Sequence, residues 1–166
     1  MNLLGQLYLT ATIARFEKSK NLAEKAMAQL TFHELCTKPS RESNSIATIV
    51  KHMHGNMLSR WTNFLTEDGE KAWRQRDAEF SELYTTRAAL EQDWQQGWDV
   101  VFEALRSLDE VALSQMITIR REEMTAIDAI QRQVDHYGYH IGQIFYIAKW
   151  LKDGAWQNLS IPKKSE

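Results

Sequence analysis

The stretch Thr125–Gly154, TAIDAIQRQVDHYGYHIGQIFYIAKWLKDG, decides the fold class. Ile127, Ile130, Val134, Ile141, Phe145 and Ala148 recur at spacings of three, four and seven, which places them on one face of a helix. Thr125 stands three residues ahead of Asp128, a capping-box-like start with Asp in place of the usual Glu or Gln. Lys149 and Lys152 suit the negative end of the helix dipole, and Gly154 suits a C-terminal cap. The whole stretch predicts one uninterrupted helix.

Working outward, three further segments carry the same periodicity. Leu90, Trp94, Trp98, Val101, Leu105 and Leu108 form an apolar seam behind a start at Thr85 or Thr86. Ile46, Ile49, Val50, Met53, Met57, Trp61 and Phe64 form a continuous stripe. Ser43 to Ser45 offer side-chain oxygens to cap its start, and it stops at Thr66-Glu67-Asp68-Gly69, where Asp-Gly marks a turn. The first segment runs from about Leu3 to Leu30, with Leu4, Leu7, Tyr8, Ala11, Leu22, Ala26 and Leu30 as candidate core positions. It ends before Pro39, which disfavours helical geometry in the residue ahead of it. The charged stretch 69–85 reads as an ordered connection with a short helical piece from Ala78 to Tyr84. Residues 109–124 fit either an irregular connection or a short extended segment at Met116, Ile117 and Ile119. Four long helices in one chain predict an all-α domain over residues 1–166, arranged as a four-helix bundle.

A chain of 166 residues buries enough surface to fold without a disulfide or structural metal, so a metal site here would serve function. Its single cysteine, Cys36, allows no internal disulfide and has no evident activating base. A formal net charge of −2 gives no footprint for nucleic acid or an anionic membrane. No run approaches the roughly 18 apolar residues of a membrane span, and the N-terminus lacks the marks of a signal peptide. A cytoplasmic protein is the expectation.

Chemistry concentrates in the histidines. His136 and His140 are four apart, so their side chains share a helix face with roughly 5–6 Å between Cβ atoms. Two imidazoles at that spacing can converge on one metal ion. At roughly 100° per residue, however, both lie off the apolar stripe centred near Val134 and Ile141. His52 likewise lies off the stripe of its segment and His54 lies nearer to it, so periodicity leaves both open as a third ligand. Tyr137 follows His136, so the glutamate of a His-Glu-x-x-His peptidase motif is absent. Asn56, one turn beyond His52, and Gln143, three beyond His140, are candidates to orient a ligand from behind. Arg60, Arg74 and Arg76 either clamp an anionic substrate or stand as solvated charges paired with Glu67, Asp68, Glu70, Asp77 or Glu79. Trp61, Trp94, Trp98 and Trp150 read as core or interface, and His33 as a surface residue.

Two stretches, SIATIVKHMHGNMLSRW at 45–61 and QVDHYGYHIGQI at 133–144, carry a resemblance to the DinB-like superfamily, also called the YfiT-like metal-dependent hydrolases. The run His140-Ile141-Gly142-Gln143 is its most specific element. The resemblance implies a bundle with an up-down-down-up arrangement and a three-histidine site for zinc or nickel. It selects His52 over His54, because the superfamily's first histidine follows two or three apolar residues, as in Ile49-Val50-Lys51-His52. The implied metal ligands are thus His52, His136 and His140. Three neutral imidazoles leave an ion's charge uncancelled and a coordination position open, as in catalytic rather than structural zinc sites. The resemblance also implies a homodimer and an enzyme acting on a small molecule, hydrolase-like or a transferase using a low-molecular-weight thiol. The other function class in view is a non-enzymatic metal- or ligand-binding stress-response protein acting through a dimer.

Overall fold

The computed structural model describes residues 3–81 and 84–159, and the chain is mostly helical. Its elements are α1 (Leu3–Met27), α2 (Phe32–Cys36), α3 (Ile46–Trp61), α4 (Ala78–Ser81), α5 (Arg87–Ser107), α6 (Glu110–Leu113), β1 (Met116–Ile119), β2 (Glu122–Thr125) and α7 (Ala126–Lys152). A 3-10 turn, Asp153–Ala155, follows α7. No helix among the described residues is long and apolar enough to cross a membrane.

The caps show why the long helices begin where they do. The side-chain oxygens of Ser45, Thr86 and Thr125 accept from the N–H groups of Thr48, Ala89 and Asp128, each satisfying a donor the helix leaves unpaired. At its other end, α7 is capped by Asp153 at a positive φ of 42°, and the expected Gly154 lies one residue beyond, in the 3-10 turn.

The four long helices meet at one aromatic cluster, to which each contributes a residue. Phe16 of α1 packs against Trp61 of α3, Trp98 of α5 and Tyr137 of α7 at centroid distances of 6.3, 5.8 and 5.6 Å. Trp61 Nε1 donates to the Tyr137 hydroxyl (2.9 Å), which donates to Asn56 Oδ1 (3.1 Å). Elsewhere Gln131 of α7 reaches the Tyr8 hydroxyl, and Gln29, just past α1, reaches Gln157, just past α7. Trp94 of α5 donates to Glu24 of α1, while Arg87 at the start of α5 caps the carbonyls of Met27 and Leu30. Gly97 of α5 lies against Met57 and the backbone of His54 on α3.

Two expectations about α1 are corrected. It ends at Met27, and a separate short helix, α2, follows, opened by a capping box in which Thr31 and Glu34 satisfy each other's backbone donors. Its core face carries Leu9, Phe16, Ala23, Ala26 and Met27, whereas Leu4, Leu7 and Ala11 are exposed. The reason is rotation of the helix: Gly5 packs against Glu110 of α6, which turns Leu4 and Leu7 outward.

Residues 109–124 contain α6 and an antiparallel β1–β2 hairpin. Arg120 and Arg121 form its two-residue loop, both at positive φ (56° and 66°), as a type I′ turn requires. Asp68 holds that strained loop, accepting from the backbone N–H groups of Arg120, Arg121 and Glu70. The hairpin is thereby fastened to the segment after α3.

Candidate metal centre

His52, His136 and His140 come together where α3 crosses α7, each offering a ring nitrogen within 4.8 Å of the others. The Nε2 atoms of His52 and His136 are 3.4 Å apart. Two imidazole nitrogens bound tetrahedrally at roughly 2.0–2.1 Å are themselves separated by about 3.3–3.4 Å, so the pair already stands at a ligand–ligand edge. His52 and His140 are buried, and both stand closer to the core than the apolar stripe predicts. The buried face of α7 includes Gln133, Tyr137 and His140 beside the apolar residues, so a wheel weighted by apolar residues alone points away from the site. His54 turns instead toward Asp93 and Gln96 of α5 and takes no part.

Hydrogen bonds behind the rings decide which nitrogens are free. His52 Nδ1 donates to Glu79 Oε2 at 2.9 Å, leaving the Nε2 lone pair toward His136. His140 Nδ1 donates to Gln143 Oε1 at 2.9 Å, and its Nε2 is buried without a partner among the described residues. A buried acceptor with nothing to accept from is costly, and here it faces two other imidazoles. His136 Nδ1 is likewise buried and unpartnered. The orphaned His140 Nε2, beside the Nε2 pair of His52 and His136, fits zinc, nickel or a similar ion.

Burial keeps His136 and His140 neutral. Burial, followed by the neighbouring His140 and His52, pushes His136 down to about 3. Burial also takes His140 down to about 4, against the opposing bond to Gln143. Both rings are therefore in the ligating form over the whole neutral range. Burial alone would raise the Glu79 carboxyl, but hydrogen bonds and charge from His52 and Arg74 outweigh it and hold it below the usual range.

Glu79 sits on α4, inside the charged stretch, and sequence reasoning treated it only as an ion-pair partner. Arg74 grips it through Nε (2.7 Å) and Nη2 (2.9 Å), with a side chain only 2% exposed. Arg60, also buried, bonds Glu70 and the carbonyl of Gly69, and Arg120 of the hairpin loop shares Glu70. Arg60 and Arg74 are thus paired with acids, as one alternative held, but as a buried lattice rather than solvated charges. Gln143 accepts from His140 Nδ1, while Asn56 is tied to Tyr137 and reaches the site as part of the wall of an adjoining cavity. Arg76 lies over the Phe80 ring, which itself packs on His52. Trp61, Trp94 and Trp98 are core, whereas Trp150 is half exposed.

No curated protein matches the chain. A family model described as "Protein of unknown function (DUF1572)" matches residues 3–165. With nearly its full length matched, the chain belongs to the DUF1572 family.

Proposed function

We propose that the protein is a metal-dependent enzyme of DinB-like type, hydrolase-like or thiol-transferring, acting on a small molecule. His52, His136 and His140 would hold one divalent ion, zinc or nickel. The observation that carries this reading is the convergence of three imidazoles, one of them with a buried, unpartnered Nε2, beside a solvent-connected cavity. A protein that only sequesters a metal needs no such cavity, and that favours the enzyme over a metal store.

Direction of packing supports the up-down-down-up bundle within a single domain. The α1–α7 contacts advance together, from Tyr8 with Gln131 to Gln29 with Gln157. Contacts between α1 and α5 run oppositely, from Phe16 with Trp98 to Leu30 with Arg87. Those between α3 and α7 also run oppositely, from His52 with His140 to Trp61 with Tyr137. The exposed Tyr146 and Trp150, one turn apart on α7, support a homodimer.

An ion at this position supplies Lewis acidity to a substrate atom in the cavity. The chain's own residues do the rest. Glu79 and Gln143 fix the tautomer and orientation of His52 and His140. Because Glu79 is fully committed to His52 and Arg74, it acts as a positioning group and not as a general base. The cavity wall formed by Asn56, Gln133 and Tyr139 shapes the space next to the imidazoles.

Metal analysis of protein purified without a histidine tag tests the assignment. One equivalent per chain is expected, lost in His136→Ala and retained in His54→Ala. A chain that carries no stoichiometric metal and takes up none with micromolar affinity would overturn it.

A further inference from the structure

Five arginines, Arg60, Arg74, Arg76, Arg120 and Arg132, line the cavity of about 310 Å³ that opens on His52 and His136. This is a large excess of one charge for a protein whose net charge is −2. The carboxylates nearby do not absorb it. Glu70 takes up Arg60, Arg74 and Arg120, and Glu79 takes a second grip on Arg74. Arg76 and Arg132 have no carboxylate partner among the described residues: Arg76 rests over the Phe80 ring, and both are exposed. Asp135 is the one acid in the lining. The wall also includes Gln133, 3% exposed, whose side-chain oxygen is buried with no partner among the described residues.

We infer that the cavity recognises a small molecule bearing a carboxylate or phosphate group, held by Arg76 and Arg132, with the remainder of the molecule lying against His52 and His136. This rests on the three-histidine reading and names the substrate class for that site. The guanidinium fork matches both oxyanions, and two uncommitted forks at one mouth give a far stronger anion site than paired ones. The paired arginines Arg60, Arg74 and Arg120 keep the inner wall rigid. They also add a positive field that water in the small cavity screens less than bulk solvent would. An uncharged substrate would leave Arg76 and Arg132 with nothing to do at this mouth.

Binding to the cobalt(II)-loaded protein, followed by calorimetry and by the visible absorption of the metal, tests the inference. Inorganic phosphate and succinate serve as the two anionic probes and imidazole as a neutral ligand for the metal. In Arg76→Gln/Arg132→Gln both anions should bind at least tenfold more weakly, with metal content and imidazole affinity unchanged within twofold. The separation of the two probes' losses shows which oxyanion the forks prefer, and either preference supports the inference. A charge-matched variant away from the cavity, Lys38→Gln/Arg41→Gln, should leave both affinities within twofold. The inference alone is overturned if the double arginine variant keeps full metal and binds both anions within twofold of the parent, or if the distant variant loses as much. Failure of the parent protein to take up metal overturns the three-histidine reading and this inference with it. Arg76 and Arg132 are exposed, so their replacement does not threaten the fold.

Discussion

His52 is held from both sides. Its Nδ1 is fixed by Glu79 and its Nε2 faces His136, so the ring has one orientation and one tautomer. Groups of this kind raise the basicity of a ligand and typically change metal affinity by about 10–100-fold when removed. Glu79→Gln should therefore weaken metal binding by about that factor in competition with a chelator, while leaving the stoichiometry at one. Unchanged affinity would remove Glu79 from the site. Of these residues, the pair His136 and His140 was legible because spacing and resemblance agree there: a separation of four fixes a shared helix face, and the motif run begins at His140. His52 was legible only through motif resemblance, since the wheel favoured His54. Glu79 was legible only as an ion-pair partner and not as the partner of His52: it lies 27 residues from His52, and no periodicity links a short helix in a charged connection to a ring on α3. Gln143 was found because it sits on the same helix as the ring it serves.

At the scale of elements, α4 reaches His52 only because residue 55 is glycine. A Cβ there would collide with the Glu79 carboxylate, with Cδ at 2.8 Å. Gly55→Ala should push α4 off α3, lowering both thermal stability and metal affinity. Gly142 on α7 is the contrast, with open space where its Cβ would stand. Gly142→Ala should raise stability by about 0.5–1 kcal/mol, as removal of a helix-interior glycine does. Melting curves of the two variants, with and without metal, check both. The long helices were legible from periodicity and the Thr125 start from cap chemistry, while the start of α5 was legible only to within Thr85 or Thr86. The break between α1 and α2 had a readable signal, Thr31-Phe-His-Glu34, whose capping-box spacing outweighs the apolar continuity through Leu30. The outward face of Leu4 and Leu7 had none, because it depends on where α6 packs. Nor did the hairpin loop, where arginines occupy positive-φ positions usually filled by Asn or Gly and rely on Asp68, some fifty residues away, to hold them.

For the molecule as a whole, burying neutral imidazoles ties stability to pH. His136 and His140 titrate near 3 and 4 when folded and near 6.5 when unfolded, so below about pH 6.5 the unfolded chain binds more protons. Stability is full above that pH and is lost as pH falls through the folded values. Urea midpoints of the metal-free protein should decline from pH 7.5 to pH 5, and a flat profile would show that the rings are not buried neutral. Added metal should raise the midpoint at neutral pH in proportion to the logarithm of its concentration. If the exposed Tyr146 and Trp150 cover a second copy, sedimentation should give twice the 19.3 kDa of one chain. The central claim is that three histidines share one ion, and X-ray absorption of the zinc-loaded protein tests it most directly. The account predicts three imidazole nitrogens at roughly 2.0–2.1 Å, falling to two in His52→Ala and staying at three in His54→Ala. A parent spectrum with fewer than three imidazoles, or one unchanged by His52→Ala, would contradict it.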